Sequence, residues 1–596
     1  MLLFRLRRIA FCLCALMVPA AVYADPTPVV LQADSGSPQL LVDGQPYYIK
    51  GGGGDGSKAD LAAAGGNTFR TWGVDDTTGL LLDEAQKHGL KVVVGIWLGH
   101  ERHGFDYSDV DQVAKQFDHV RASVLKHKDH PALLAWGLGN EMEGFGDGGN
   151  AAIWSHVQAC AALVKELDPH HPTITVIAEI GGQRVPAIHR LCPDIDIIGI
   201  NSYGGGPSIP ERYKAAGGTK PYIVTEFGPP GTWEVKRNSF DVVNELTSTQ
   251  KAEIYRNVYE KLKVDPQCLG SFAFTWGFKQ EATATWFGMY LPNGNKAAAV
   301  DAMTLAWSGK PASNLCPTIE PLKLSVGKVD PGGSIRVELV TSDPEGKPVN
   351  VDWQLHAEAE VYFTGGDFQQ SPPQYPEAIR DASATGATLV MPDEPGKYRV
   401  YAFVDDGEGG GAMANAPILV KGEDTGPKGL SSKLPFVVYD DKPSAPNFTP
   451  SGYMGEAEAI TMTPDDRGEP FAGDTNLKVT YNQGSGWGGV VWQHPPNDWG
   501  DKSGGFDLTG ATKLVFHARG EKGGEVIEFG FGLLGDDKAF PDSGGNSTEV
   551  TLTTRWKQYS IDLADLDLTR IKTGFYWTLA ANGNPKSFYL DAIRYE

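Results

Sequence analysis

The chain changes its hydrophobic rhythm twice. Between about residues 38 and 310, short apolar runs alternate with segments whose apolar residues recur at i, i+3 and i+4, as in "AEIYRNVYEKL". The runs are "PYYIKGGG", "NTFRTWG", "KVVVGIWLGH", "ALLAWGLGNE", "TITVIAEI", "IDIIGINSYG", "PYIVTEFG" and "LGSFAFTWG". Nearly unbroken apolar runs suit parallel strands covered on both faces. Eight strand–helix units in about 270 residues predict an α/β fold, the (β/α)8 or TIM barrel. A doubly wound open sheet competes with it, but that fold gathers its polar residues at one switch point. Here Arg70, Trp97, His100, Asn140, Glu141, Glu179, Asn201, Tyr203, Glu226 and Trp276 end nearly every strand. In a barrel those ends converge on one pocket.

Beyond "PASNLCPTIEP" the helical period stops. Polar and apolar residues alternate from about 318 to 422 ("SIRVELV", "VNVDWQLHA", "KYRVYAFVDD"), which predicts an Ig-like β-sandwich. "KGEDTGPKGLSSKLP" reads as a linker, and strands dominate again from about 435, a length that suits a β-jelly roll. The expected division is 1–24 processing segment, 25–316 barrel, 317–430 sandwich and linker, and 431–596 jelly roll. In the first segment Arg5, Arg7 and Arg8 precede the apolar run "IAFCLCALMV", and "VYA" has the small-residue pattern of a cleavage site. The run is short of the roughly 20 residues that span a bilayer. Cleavage after Ala24 and a secreted or periplasmic location are expected.

Composition refines this picture. The 73 glycines and 40 prolines agree with a turn-rich C-terminal half. A net charge of −22 argues against nucleic acid or an anionic membrane as partner and is compatible with a neutral substrate. Cys12 and Cys14 leave with the processing segment. Cys160, Cys192, Cys268 and Cys316 remain, with Cys160–Cys192 and Cys268–Cys316 the preferred pairs in an oxidising compartment and four buried thiols the alternative.

Two carboxylates carry the chemistry. Retaining glycoside hydrolysis needs an acid/base and an ionised nucleophile about 5–5.5 Å apart. Glu141 closes the fourth strand and Glu226 the seventh, on opposite walls of a barrel mouth. No ligand spacing suggests a metal in the barrel, no cofactor is implied, and "GGGGDG" at 51–56 reads as a flexible first loop.

Residues 38–310 resemble the clan A glycoside hydrolases, retaining (β/α)8 enzymes, through "WGLGNE" and "VTEFG". The resemblance implies Glu141 as acid/base and Glu226 as nucleophile. It further implies Asn140 on the sugar 2-hydroxyl, Arg70 and Tyr203 beside the nucleophile, and Trp276 as floor of the cleaved sugar's subsite. Trp97 is a further subsite candidate, a barrel cap being the other reading for it and for Trp276; Trp72 and His100 are candidates too, with loop packing as the alternative. Glu179 offers a third pocket carboxylate, although it and Glu143 read first as solvated or structural. The C-terminal unit resembles a jelly-roll carbohydrate-binding module, with Trp487, Trp492, Trp499, Tyr576 and Trp577 as stacking candidates. Modules of that kind often hold a structural calcium, for which Asp440, Asp441 and Asp591 are candidates. The layout resembles bacterial β-glucanases, which implies a polysaccharide or oligosaccharide substrate, a β-glucan with the β-1,3 linkage first. A transglycosylase, a β-mannanase, a β-galactosidase-type enzyme and a non-catalytic carbohydrate-binding scaffold are the alternatives.

Overall fold

The computed structural model describes residues 27–596 except 33–36, 145, 360, 364, 367–368, 370, 423–428, 442–446, 503, 536, 539, 582 and 584. The processing segment with Cys12 and Cys14, and the middle of the expected linker, lie outside the described residues.

Among the described residues eight parallel strands close a barrel in chain order: β1 (Ile49–Gly53), β2 (Thr68–Arg70), β3 (Lys91–Ile96), β4 (Leu133–Asn140), β5 (Thr173–Ala178), β6 (Ile197–Asn201), β7 (Tyr222–Phe227) and β8 (Cys268–Phe274). A helix follows each: α1 (Lys58–Ala63), α2 (Thr78–Lys87), α3 (Val110–His127), α4 (Ala151–Leu167), α5 (Arg184–Leu191), α6 (Ile209–Ala215), α7 (Ser248–Leu262) and α8 (Ala298–Ser308). Strands β4 and β7 are buried almost throughout, as unbroken apolar runs require. Their outward residues meet the helices in one core, Trp136 with Trp154 and Val224 with Val258. Inward residues, among them Val93, Ile174, Ile223 and Phe272, fill the barrel, and an antiparallel sheet (Val29–Gln32, Gln39–Val42, Gln45–Tyr47) joins them through Val29, Leu40 and Val42. Helix α7 starts with a capping box: the Gln250 amide donates to the Thr247 hydroxyl, and the Thr247 amide donates back to the Gln250 side chain.

Two expectations change here. Gly51–Gly53 are strand β1 rather than loop, and they are small because large rings press on them. A Cβ on Gly51 would stand 2.2 Å from the Phe272 ring, and one on Gly52 would stand 2.9 Å from Trp276 Cβ. The four cysteines are buried free thiols, not disulfides. Each sulfur has a polar neighbour of its own: His156 Nε2 for Cys160, and the carbonyls of Trp154, Gly270 and Lys296 for Cys192, Cys268 and Cys316.

The sandwich pairs one sheet containing Ser334–Glu338, Gly386–Val390 and Ile379–Ser383 with another containing Asn350–Ala357, Gly396–Asp405 and Gly410–Val420. Its strand Gly410–Val420 also hydrogen-bonds to Lys296–Ala297 just before α8, and barrel and sandwich form one compact unit. The seam holds buried charge. Arg399, 1% exposed, donates to Glu358 at 2.8 Å, to the Val243 carbonyl at 2.8 Å and to Asn415 Oδ1 at 2.6 Å. Separating such a pair leaves an uncompensated buried ion at a cost of about 3–5 kcal/mol, so the network penalises any other docking of sandwich on barrel.

The C-terminal module is a second unit of two facing sheets. Alternation sorts its aromatic residues. Trp492 and Trp577 point into the core between the sheets, at 1% and 0% exposure, so neither can stack on a sugar. Trp487 is 48% exposed, and Trp499 is half-buried. The register sets Trp487 on the outer face with Thr578, Tyr576, Glu528 and Ser547. Tyr576 is itself buried, its ring over Gly530, where a Cβ would stand 2.4 Å away. The calcium expectation also changes, because Asp591 Oδ2 accepts the Phe471 and Ala472 amides and Asp441 Oδ1 accepts those of Asp474 and Thr475. Asp440 is exposed, and among the described residues no three acidic, histidine or cysteine side chains group to hold a metal. No helix among them is long and apolar enough to cross a membrane.

Candidate active site

Strand β7 delivers Glu226 to the barrel mouth, 5% exposed, with a register shift against β6 that sets it beside Asn201. Three donors converge on its carboxylate. Arg70 Nη1 and Trp72 Nε1 each reach Oε1 at 2.9 Å, and the Tyr203 hydroxyl reaches Oε2 at 2.7 Å. Burial and the Glu226 charge push the Tyr203 hydroxyl well above its ordinary range, so it remains a neutral donor. Arg70, at the end of β2 and 3% exposed, also donates to the Thr225 carbonyl at 2.9 Å and to Asn140 Oδ1 at 2.7 Å. All three bonds place donors on the Glu226 oxygens.

Glu141 owes its position to a local backbone departure. Strand β4 ends at Asn140, and Gly139 and Glu141 take φ of +73° and +51°. A left-handed glutamate is uncommon and is held here by its amide's bond to the Val176 carbonyl at 2.9 Å. The turn brings the carboxyl group to Asn201, whose Nδ2 donates to Glu141 Oε1 at 2.7 Å and to Asn140 Oδ1 at 3.2 Å. Thr225 Oγ1 in turn donates to Asn201 Oδ1 at 2.8 Å. Burial first, then the negative charge of Glu226, raises the pKa of Glu141 to about 7 against the opposing Asn201 bond. The mouth therefore holds two glutamates in different electrostatic settings.

Both open on a cavity of about 700 Å³. Trp97, 39% exposed, lines it and stacks on His100 with ring centroids 4.8 Å apart. Trp276 does not line it, contrary to expectation. It is fully buried, donates from Nε1 to the Ser57 carbonyl at 3.0 Å, and packs against Tyr290 and Trp307. Phe274, two residues earlier, lines the cavity in its place, against Trp72, Tyr203 and Phe287. Glu143 is buried beneath the cavity with the Ala178 amide and Arg184, and Glu179 on the wall pairs with Arg212 at 2.7 Å. Sequence reasoning missed Asn201 as a partner of Glu141, although its place at the end of β6 was a usable signal. It also missed Trp233, Phe363 and Gly365, which line the same cavity.

Residues 67–255 match the TIM barrel domain of glycosyl hydrolases family 2, and residues 436–596 match carbohydrate binding domain 30. Similar solved structures include the β-D-glucuronidase of Dictyoglomus thermophilum, at 17% identity over 48% of this chain and 54% of that one with a TM-score of 0.38. The β-glucuronidase of Ruminococcus gnavus is 17% identical over 48% and 53%, TM-score 0.39. The β-galacturonidase of Eisenbergiella tayi is 16% identical over 48% and 54%, TM-score 0.38. This chain spans about half the length of those enzymes. No curated protein matches it. The barrel is a glycoside hydrolase domain, and the C-terminal unit is a carbohydrate-binding module.

Proposed function

We propose that the chain is an exported retaining β-glycosidase acting on a β-glucan, with the β-1,3 linkage first. The observation that carries the β-glycosidase part of this reading is the pairing of Glu226, held by three donors, with Glu141 at a pKa of about 7; the glucan preference follows the domain layout and export the N-terminal segment. Glu141 gives its proton to the glycosidic oxygen as that bond breaks, and Glu226 attacks the anomeric carbon to form a covalent glycosyl ester. Glu141, now a carboxylate, takes a proton from water, which attacks the same carbon and releases Glu226. Arg70 and Asn201 both donate to Asn140 Oδ1, which leaves the Asn140 NH2 group for the sugar 2-hydroxyl. A neutral sugar suits the cavity because two of its cations already have partners: Arg184 with Glu143 at 2.8 Å and Lys279 with Glu281 at 2.7 Å.

The test is NMR of products from purified β-1,3-, β-1,4- and mixed-linkage glucans, mannan, galactan and β-uronides. The first-formed sugar from a β-glucan should be the β anomer. Release only from uronides, mannan or galactan overturns the glucan preference, an α product overturns retention, and a longer product points to transglycosylation.

The module's outer face, with Trp487 at its edge, is the surface we assign to polysaccharide binding. In the full chain Trp487→Ala should reduce retardation on a β-glucan affinity gel by roughly two- to tenfold and leave the rate on a short soluble substrate unchanged. Unaltered retardation moves the binding surface elsewhere on the module.

A further inference from the structure

The cavity wall has an aromatic corner that the two-glutamate mechanism does not use. Trp233, in the loop between β7 and α7, is 50% exposed, and Phe363, in the sandwich loop between Asn350–Ala357 and Ile379–Ser383, is 44% exposed. Both line the cavity, and their rings meet edge to face with centroids 5.1 Å apart. Trp233 also packs edge-on against Tyr203 at 5.7 Å, the tyrosine that bonds the Glu226 carboxylate. The corner therefore stands one ring away from the reacting centre.

Both rings are held in place. The Trp233 indole lies on Gly231, where a Cβ would stand 2.4 Å from the ring. Glu234 ties that loop down by accepting the Gly231 amide at 2.7 Å and the Gly204 amide at 2.9 Å. Two carbonyls near Phe363 are tied to the barrel: that of Tyr362 accepts from Thr232 Oγ1, and that of Gly365 accepts from Arg102 Nη2 at 2.8 Å. The Ala282 amide adds a bond to Gln369 Oε1 at 2.6 Å. Two large apolar rings left half in water on the wall of the active-site cavity mark a contact surface. Rings fixed in this way bind at little entropic cost.

We propose that Trp233 and Phe363 form a stacking subsite for the pyranose ring adjacent to the one being cleaved, so the sandwich domain supplies part of the substrate site. This rests on the glycosidase reading. The apolar face of a pyranose matches an aromatic face, and the polar side chains that share the cavity wall, Ser202, Glu234 and Lys279 among them, suit its hydroxyls. The ligand class is a neutral oligosaccharide of at least two rings.

The experiment compares two substrates in the full chain: a β-linked tetrasaccharide, and the β-glycosyl fluoride of the sugar released, whose leaving group occupies no neighbouring subsite. Phe363→Ala should lower kcat/KM on the tetrasaccharide by roughly tenfold and leave the fluoride within about twofold, whereas Trp233→Ala, which also removes the ring packed on Tyr203, should lower both with the larger fall on the tetrasaccharide. Phe363→Tyr keeps a ring and should restore the tetrasaccharide rate. An equal fall on both substrates means the rings only support the loop, and no fall on either means no subsite; both overturn the proposal alone. Wild-type protein that cleaves neither substrate overturns the glycosidase reading, and the subsite with it.

Discussion

Glu226→Ala should remove turnover of natural glycosides by roughly 10^4- to 10^6-fold. Three donors hold its carboxylate at the mouth, and the truncation removes the oxygen that attacks the anomeric carbon. Azide fits the space left by the truncated side chain. Supplied with a β-glycosyl substrate bearing a good leaving group, the variant should form the α-glycosyl azide, the product of a single inversion. A 2-fluoro glycoside should label the wild-type protein, and peptide mapping should place the adduct on Glu226. An adduct on Glu179 or Glu143 would falsify the assignment. Arg70 needs a control, because removing its partner strands a buried guanidinium at about 3–5 kcal/mol. Glu226→Gln keeps an oxygen for Arg70 and Trp72 and should fold with a smaller loss of melting temperature, yet be equally inactive. If the glutamine variant hydrolyses at near wild-type rate, Glu226 is structural and the mechanism falls.

What could be read from the chain divides along physical lines. The barrel strands were legible because burial on both faces leaves unbroken apolar runs, and their polar last residues announced a common mouth. The partners of those last residues were not. The bond from Asn201 to Glu141 spans 60 positions and depends on the left-handed turn at Glu141, which no local pattern encodes. Trp276 and Phe274 share the parity of β8, so alternation could not choose between them. The choice was made by β1, whose glycines open a hole that only a buried ring fills. In the module the phase of one strand decided the matter: Trp487 and Trp492 are five residues apart, hence on opposite faces of Trp487–Gln493, and glycine-rich sequence hid which face was core. Phe363 was least legible, since it reaches the cavity from a loop of another domain.

The second large effect belongs to Glu141 and is read through pH. Glu141 must be protonated to assist the first step, and its pKa is raised to about 7. The free-enzyme profile of kcat/KM should therefore fall on the alkaline side through about pH 7, the range in which that proton is lost. Glu141→Gln should lower kcat/KM on substrates with poor leaving groups by roughly 10^2- to 10^4-fold and abolish the alkaline limb on a dinitrophenyl glycoside, whose departure needs no proton. On that substrate KM should also drop, because the glycosyl ester accumulates without a base to activate water. Besides burial, Glu226 and Asn201 act on that value in opposite directions, and each has its own consequence. The Glu226 charge disappears once the ester forms, so the pKa of Glu141 falls in the intermediate and the same group becomes an ionised base for the second step. The Asn201 bond favours the charged form, so Asn201→Ala should move the alkaline limb to higher pH and not to lower. Persistence of the limb near pH 7 in Glu141→Gln, or its movement downward in Asn201→Ala, means that another group supplies the proton.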